Sequence, residues 1–343
     1  MCWNQASMGN PRQRVSPGSG CEDIPGLLII KESSSMASLF RITFIGTGGS
    51  WPQPGRAMPS VMIQVDETVC LFDCGEGSQK QIMKSPTSFM KIDHIFISHF
   101  HGDHFLGILG LIQSMSFNGR EKELHVYGPP GAISILTRAF NVGYYSLTYN
   151  IKIHELQYDS TVSLNGFKVR TMKADHPVPA FSYRIDEDDL VKIDPARASA
   201  LGIDSRLIER IRDSGQIEVH GRTIRLEDIQ GGVRKGRSVV YSGDTRPNPA
   251  MVEFASRCSV LIHDTTTDSS LEPKVNEFGH TSSRQAAGIA RDAGAGKLFL
   301  YHFSPRIDSA ETLLNESRSI FPESYLSEDL MVVEIQKGEV LTG

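Results

Sequence analysis

Features that would place this chain outside a reducing compartment, or in a membrane, are missing from its sequence. The cysteines number five among 343 residues and include no CxxC pair: Cys2, Cys21, Cys70, Cys74 and Cys258. An odd number without such spacing indicates neither a disulfide framework nor a thiolate zinc site. No apolar run approaches the roughly 20 residues of a membrane span, and the amino terminus lacks the charged-then-apolar plan of a signal peptide. We therefore expect reduced thiols, no membrane partner and a cytoplasmic protein.

An excess of positive charge is missing as well. The sequence has 35 Lys and Arg against 40 Asp and Glu, a formal net charge of −5. This sign excludes a protein that coats nucleic acid indiscriminately, so any contact with RNA must come from a local basic patch.

The beginning of the chain differs in composition from the rest. Its first 35 or so residues are rich in Gly, Pro and Ser and show no sustained hydrophobic period, which is typical of disorder. Residues 1–36 are thus predicted to be a disordered or misassigned extension, with Met36 as an alternative start. Residues 37–343 are predicted to form the folded domain, for which a hydrophobic content of 39% is sufficient.

From Leu39 onward, strand-like and helix-like segments alternate. The segments SVMIQVD and TVCLFDCG predict a hairpin around Asp66 and Glu67. Helices are predicted at 78–84, 104–115, after Pro130, at 250–256 and at 282–293. Strands are predicted at 94–98, 124–127, 151–156, 161–164, 167–172, 181–185, 238–241, 260–263 and 297–301. Two similar strand-and-helix halves predict an α/β fold in which two sheets pack face to face with helices outside, an αββα sandwich.

One stretch, between Asp186 and Arg237, does not fit this alternation. It is charged and irregular, with a short helix predicted only at Ser205 to Arg212. The pattern predicts an insertion at about residues 187–235. A solvated connecting segment explains the charges equally well.

The strongest functional signal is the segment SHFHGDH, which lies between an apolar strand and an apolar helix. It brings His99, His101, Asp103 and His104 into one short loop. A single histidine is usually an ordinary surface or core residue, but four such groups in this register predict a metal site. Imidazole and carboxylate are ligands that zinc accepts.

Further candidate ligands follow other predicted strands. His176 follows GFKVRTMKAD, Asp244 follows SVVYS, and His302 follows KLFLY. Loops at the same edge of a sandwich can meet in one cleft. Each residue alone is weak evidence, but together they bring the number of candidate ligands to seven, enough for two ions.

At these residues the chain resembles the metallo-β-lactamase superfamily, whose HxHxDH signature matches His99 to His104. Longer segments resemble ribonuclease Z within that superfamily: FIGTGGSWPQPGR, LFDCGEGSQKQI, SMSFNGREKELHVYGPPG and YSGDTRP. The resemblance implies two zinc ions per subunit and removal of the 3′ trailer from precursor tRNA. It implies His99, His101 and His176 on one ion, Asp103, His104 and His302 on the other, and Asp244 as the bridge.

Two further segments resemble ribonuclease Z specifically. The family places a carboxylate beside a histidine that protonates the leaving group, and this chain has Asp264 (in place of Glu) and His280 at those positions. The resemblance implies catalytic roles for Asp103, His280 and Asp264. The segment HTS around His280 is also compatible with helix capping by Thr281 or Ser282. Arg306 is implied to contact a substrate phosphate, although Ile307 replaces the usual Tyr, and a surface salt bridge is an alternative role.

The resemblance also concerns the insertion and the assembly. In the family an arm at this place in the chain grips the tRNA, and the arm of one subunit of a homodimer serves the other's active site. The insertion here lacks the paired Pro-Gly and Gly-Pro turns of such arms. Two other interpretations stay open: a two-zinc phosphodiesterase or arylsulfatase for small substrates, and a non-catalytic RNA-binding protein.

Overall fold

Two large β-sheets form the centre of the molecule in a computed structural model that describes residues 27–29, 38–219, 221–307, 309–336 and 340–341. The first sheet has eight strands. In spatial order they are β1 (Leu27–Ile29), β19 (Val332–Glu334), β2 (Phe40–Gly46), β3 (Ser60–Val65), β4 (Thr68–Phe72), β5 (Ile92–Phe96), β6 (Leu124–Gly128) and β7 (Ile151–Glu155).

The second sheet has seven strands. In spatial order they are β18 (Ser324–Leu326), β17 (Leu298–Tyr301), β16 (Val260–Asp264), β15 (Ser238–Tyr241), β10 (Phe181–Glu187), β9 (Phe167–Lys173) and β8 (Thr161–Leu164). Strands β15 to β18 run parallel to one another, whereas β10 runs antiparallel to both β9 and β15. The carboxyl ends of β9, β15, β16 and β17 therefore lie at one edge of this sheet.

Helices cover the outer face of each sheet. The helices of the described residues are α1 (Ser78–Ile82), α2 (Gly102–Phe105), α3 (Ile108–Phe117), α4 (Ala132–Phe140), α5 (Pro195–Ala200), α6 (Ser205–Ser214), α7 (Pro249–Phe254), α8 (Glu272–Glu277), α9 (Ser283–Ala293) and α10 (Ala310–Ile320). Of these, α5 and α6 belong to the insertion and do not cover a sheet. Three hydrophobic clusters separate the layers: one between the sheets, one under α1, α3 and α4, and one under α7, α9 and α10. This is the predicted αββα sandwich.

The alternation of side chains along the strands explains these layers. In β3, Val61 and Ile63 belong to the cluster between the sheets, whereas Met62 belongs to the cluster under the helices. Successive side chains of a strand point to opposite faces, and a strand covered on both faces is apolar throughout. The predicted hairpin is confirmed as the antiparallel pair β3 and β4.

A single helix was predicted from His104 to Met115, and this prediction is wrong because the helix is interrupted. The structure has two helices here, α2 and α3, with Gly107 between them. The backbone N–H of Gly107 donates to the carbonyl of Cys74 instead of continuing the helix. A Cβ on Gly107 would lie 2.0 Å from the carbonyl oxygen of Gly75, so this close approach requires glycine. A tertiary contact thus ends the short helix that carries Asp103 and His104.

Elements at both ends of the described chain were not predicted. Helix α10 and strands β18 and β19 follow the last predicted strand in the sequence. Strand β19 pairs with β2, which lies near the other end of the chain. Strand β1 lies within the segment expected to be disordered. It pairs in parallel with β19, on the side of β19 that faces away from β2. The rest of residues 1–36, Met36 included, lies outside the described residues.

The insertion is folded. The sequence predicted an irregular stretch with one short helix, and that prediction is wrong. Besides α5 and α6 it contains the strands β11 (Leu190–Ile193), β12 (Gln216–Val219), β13 (Arg222–Arg225) and β14 (Gln230–Arg234). Strand β14 also pairs with β20 (Val340–Leu341). The insertion has a hydrophobic cluster of its own, made of Ala198, Ile203, Ile211, Ile217, Ile224 and Ile229. Isolated isoleucines without a regular period gave no local signal for this unit.

The insertion leaves and re-enters the second sheet at adjacent points. The backbone N–H of Glu187, the last residue of β10, donates to the carbonyl of Arg237, and the Arg237 Nε lies 2.8 Å from the Glu187 carboxylate. Burial opposes ionisation of Glu187, but its bonds to Arg237 lower its pKa overall. This ion pair closes the neck of the insertion.

Among the described residues no helix is both long and apolar enough to span a bilayer.

Candidate metal centre

The predicted ligands gather at one edge of the sandwich, in loops that follow strands. His99 lies in the loop after β5, and His101, Asp103 and His104 lie at the start of α2. His176, Asp244 and His302 follow β9, β15 and β17, whose carboxyl ends share that edge. The seven residues predicted as ligands thus meet in one place, although they come from both sheets.

One group consists of three histidines. His99, His101 and His176 each offer a ring nitrogen, and these atoms lie within 4.8 Å of one another. His176 Nε2 is 3.3 Å from His101 Nδ1.

A second group combines a carboxylate with two histidines. His104 Nε2 is 3.3 Å from His302 Nε2, which is 3.6 Å from Asp103 Oδ2. His302 adopts a positive φ of 65°, a conformation that costs energy for a residue with a side chain. With this backbone conformation, the His302 ring lies beside His104 and Asp103.

Asp244 lies between the two groups. Its Oδ2 is 3.3 Å from His104 Nε2 and 3.7 Å from His99 Nε2, and its Oδ1 is 3.4 Å from His302 Nε2. One carboxylate therefore faces ligand atoms of both groups, as a bridging ligand must.

The side chains fit a metal in their chemistry as well as in their placement. The buried His99 Nε2 and Asp244 Oδ1 have no hydrogen-bond partner among the described residues. Buried polar atoms nearly always have a partner, so these two point to a bound group. Burial lowers the pKa of His99 well below its usual value, which favours the neutral, metal-binding imidazole. An imidazole and carboxylate set of this kind suits zinc.

The electrostatic field in the site also favours a cation. Burial by itself would lower the pKa of His104, but the carboxylates of Asp244, Asp73 and Asp103 raise it well above the usual value. A position that stabilises positive charge on a buried ring also stabilises a metal cation beside it.

The sequence analysis missed Asp73, which orients His104. The Asp73 carboxylate lies 2.7 Å from His104 Nδ1 and accepts hydrogen bonds from the Tyr241 hydroxyl and from the backbone N–H and hydroxyl of Ser98. A carboxylate bonded to the second nitrogen of a metal-binding histidine fixes the ring and its tautomer. The available signal was an Asp directly after the apolar strand VCLF, in the same position as the predicted ligands.

Beside this cluster, His280 and Asp264 form a pair. His280 Nδ1 is 3.0 Å from Asp264 Oδ2, so an aspartate here reaches the histidine despite being shorter than glutamate. Burial would lower the pKa of His280, but Asp264 and Asp244 raise it to about 9. The residue that caps α9 is Ser282, one of the two predicted, and its side chain accepts a hydrogen bond from the backbone N–H of Gln285. Because Ser282 caps the helix, the His280 ring takes no part in capping.

Comparisons with known proteins decide the family. The chain is 62% identical over 301 residues to a protein of Thermoplasma acidophilum named Ribonuclease Z, covering 88% of this chain and 98% of that protein. The chain belongs to the ribonuclease Z family.

Solved structures and a family model also match the chain. The structure of human tRNase Z, short form, has a TM-score of 0.62 at 25% identity, covering 85% of this chain and 98% of that one. The metallo-β-lactamase fold protein YhfI from Bacillus subtilis has a TM-score of 0.65 at 20% identity, covering 87% of this chain and 99% of that one, and shows the fold. A family model described as Anti-Pycsar protein Apyc1 matches residues 40–194. That range ends before Asp244, Asp264, His280 and His302.

In this member of the ribonuclease Z family, a cavity of about 560 Å³ opens beside His101 and His280. Arg306 lines this cavity, and its guanidinium lies 5.2 Å from the ring centroid of Trp51. Such a cation–π contact holds a long side chain in place while leaving its charge available. The structure thus places Arg306 in the same cleft as the candidate ligands.

A glycine connects the two parts of the site. The Gly279 carbonyl lies 3.0 Å from His176 Nδ1, and Gly279 has a φ of +90°. A Cβ on Gly279 would lie 2.5 Å from Pro177 and 2.6 Å from the His176 ring. Only glycine fits here, and it ties the loop of His280 to His176.

Proposed function

We propose that this protein is a zinc-dependent endoribonuclease that removes the 3′ trailer from precursor tRNA, leaving a 3′-hydroxyl on the tRNA and a 5′-phosphate on the trailer. The observation that carries this proposal is the convergence of the metal-ligand cluster with the His280–Asp264 pair. Membership in the ribonuclease Z family supports the choice of RNA as substrate.

In this proposal each subunit holds two zinc ions. His99, His101 and His176 would hold one ion, Asp103, His104 and His302 would hold the other, and Asp244 would contribute to both. When bound, such a pair of ions activates water at neutral pH and neutralises charge on a phosphodiester.

Asp103 is proposed to orient the attacking water in addition to binding metal. Its Oδ2 accepts a hydrogen bond of 2.8 Å from the backbone N–H of Ser50, a residue that lines the cavity, and this bond fixes the carboxylate. A carboxylate held in this way can accept a hydrogen bond from the water whose oxygen attacks phosphorus.

His280 is proposed to deliver the proton that the leaving oxygen needs. The bond between phosphorus and the ribose O3′ breaks, and O3′ takes a proton from the His280 ring to become the 3′-hydroxyl. Asp264 accepts from Nδ1, which directs Nε2 outward and stabilises the protonated ring. Arg306, on the same cavity, is proposed to neutralise a substrate phosphate.

The insertion at about 187–235 is proposed as an arm that binds tRNA away from the bond that is cut. Arg206 and Arg210 are exposed one helical turn apart on α6, and Arg222 and Arg225 are exposed on the β12–β13 hairpin. These four arginines are the proposed phosphate contacts of the arm, because a net charge of −5 gives the chain no general attraction to nucleic acid. We include in the proposal a homodimer in which each arm serves the other subunit, residues 37–343 as the catalytic domain, and a cytoplasmic location.

One assay separates this proposal from its alternatives. The purified protein is incubated with a precursor tRNA bearing a trailer, and the 3′ end of the product is mapped; hydrolysis of a chromogenic phosphodiester and bound zinc are measured in parallel. We expect a cut directly after the last tRNA nucleotide and two zinc ions per subunit. Cleavage of the small phosphodiester alone would favour a small-substrate phosphodiesterase, and zinc-free protein that binds tRNA without cutting it would favour a binding protein.

His101→Ala tests the site itself. The His101 ring belongs to the three-histidine group and lies in a surface loop, so its loss should abolish tRNA cleavage and lower zinc content without unfolding the large core. Near-normal activity with intact zinc content would overturn the ligand assignment.

A further inference from the structure

One side of helix α8 lines the cavity beside His280 and includes exposed apolar side chains. Four residues spaced as on one helical face line that cavity: Leu271, Lys274, Val275 and Phe278. Positions i, i+3, i+4 and i+7 form one stripe of a helix, which is ordinarily buried against a core. Here Phe278 is 60% exposed and Leu271 is 48% exposed. An apolar stripe that lines a cavity while exposed to solvent is a mark of a ligand-binding surface.

The other walls of the cavity have complementary chemistry. Lys274, the one charged residue of the stripe, and Arg306, in the loop after His302, both line the cavity, so two cations lie beside its apolar side chains, together with the acidic residue Asp268. Three residues with hydroxyl side chains, Thr267, Ser270 and Ser304, also line it. With a volume of about 560 Å³, the cavity lies within the range of small-ligand sites. An aromatic ring, two cations and several hydroxyls are the groups that bind a base, its phosphates and its ribose.

The backbone between Phe278 and His280 is held rigidly. The backbone N–H groups of Gly279 and His280 donate to the carbonyls of Asn276 and Val275. The Gly279 carbonyl faces His176 Nδ1, and no larger residue fits at Gly279. The backbone positions of Phe278 and His280 relative to each other are therefore set by the same turn that contacts a candidate metal ligand.

We propose that Phe278 is the stacking platform for the base of the last nucleotide that is retained on the tRNA. The inference rests on the proposed function and names its substrate contact. In that function His280 protonates the O3′ of the retained nucleotide, so the ribose of that nucleotide lies against His280. Phe278, two residues before His280 and lining the same cavity, is then near enough to stack on the base of the same nucleotide. Lys274 and Arg306 contact phosphates that flank it.

A double-mutant cycle between protein and RNA tests this contact. Cleavage of precursor tRNA is measured with wild type and Phe278→Ala, each on a substrate with the natural base and on one that is abasic at the last retained nucleotide. Loss of base stacking should raise the KM of Phe278→Ala about 5- to 150-fold on the natural substrate. The abasic change should raise the wild-type KM by a similar factor, and the two changes combined should cost no more than either alone.

Controls separate stacking from a structural effect. Phe278→Tyr, which keeps an aromatic ring, should restore most of the affinity, and zinc content should be the same in all variants. Tyr144→Ala removes an exposed aromatic side chain outside the cavity lining and should leave cleavage unchanged.

Each remaining outcome has a definite meaning. Full additivity of the two changes, or a normal KM for Phe278→Ala, overturns the stacking contact while leaving the ribonuclease activity in place. Absence of any precursor tRNA cleavage by wild type overturns the proposed function and the contact together.

Discussion

The Nδ1 atom of His104 lies 2.7 Å from the carboxylate of Asp73, at the end of a neighbouring strand. Asp73 is fully buried and also accepts from the Tyr241 hydroxyl at 2.6 Å. The hydrogen bond to Tyr241 joins the first sheet to the second beside the candidate metal ligands. The His104 ring is therefore fixed by the packing of the two sheets and not only by its own loop.

Asp73→Asn should weaken zinc binding about 10- to 100-fold, because an amide orients the His104 ring less firmly than a carboxylate and lowers its basicity. Competition with a chromogenic chelator measures this loss. Tyr241→Phe keeps the carboxylate and removes only one donor to it, so its effect should be smaller. Equal affinities for wild type and Asp73→Asn would show that His104 needs no such support.

His280→Ala should keep both zinc ions and lose about 10²- to 10⁴-fold in the rate of cleavage, the usual contribution of a general acid. Single-turnover kinetics with saturating enzyme measure this rate without the influence of product release. Asp264→Asn should give a smaller loss in the same step, because the proton donor is still present but is no longer held by a charged partner. An unchanged single-turnover rate for His280→Ala would leave the histidine a structural role only.

Gly279→Ala should destabilise the site although it adds only a methyl group. The new Cβ would meet Pro177 and the His176 ring, and a φ of +90° is unfavourable for alanine, at a cost of roughly 1–3 kcal/mol. Thermal unfolding and zinc content are expected to fall together. Gly288→Ala is the matched control: it lies inside α9 with nothing within 4 Å of its Cβ position and should be neutral or stabilising. Similar behaviour of the two variants would show that the loop relaxes freely.

Deleting the arm should separate tRNA binding from chemistry. Because the arm has its own hydrophobic cluster and its ends meet at Glu187 and Arg237, residues 189–235 can be replaced by a short glycine linker. The KM for precursor tRNA should rise, while hydrolysis of a small phosphodiester stays nearly unchanged. The intact protein should also lose tRNA affinity faster with added salt than the deletion variant does. Equal salt slopes would argue against an electrostatic role for the arm.

Mixing two defective variants tests whether the arm serves the other subunit. Arm-deleted subunits combined with His101→Ala subunits should regain part of the tRNA cleavage, since a hybrid dimer has one intact arm opposite one intact metal site. Subunit exchange is followed by native mass spectrometry in the same mixture. Inactive mixtures despite proven exchange would place the arm's action within its own subunit.

Local sequence was sufficient wherever one short segment contains the whole signal. The apolar strands, the hairpin of β3 and β4, and the loop that holds His99, His101, Asp103 and His104 were predictable because side-chain periodicity and ligand spacing are properties of neighbouring residues. The folded insertion and the strand β19 were not, because their stability comes from scattered isoleucines and from pairing between distant parts of the chain.

The sequence by itself determined the candidate ligands, their positions after strands and the αββα architecture, since all of these follow from residue type and local period. Only the tertiary structure decided which side chains support and complete the site. Gly279 and Phe278 are one glycine and one aromatic residue among many, and nothing in their immediate neighbours distinguishes them; Asp73 follows an apolar strand as the predicted ligands do, but that position does not show that it contacts His104. Their roles arise because packing of the two sheets places Asp73 against His104, and because the turn after α8 sets Gly279 against His176 and Phe278 against the cavity.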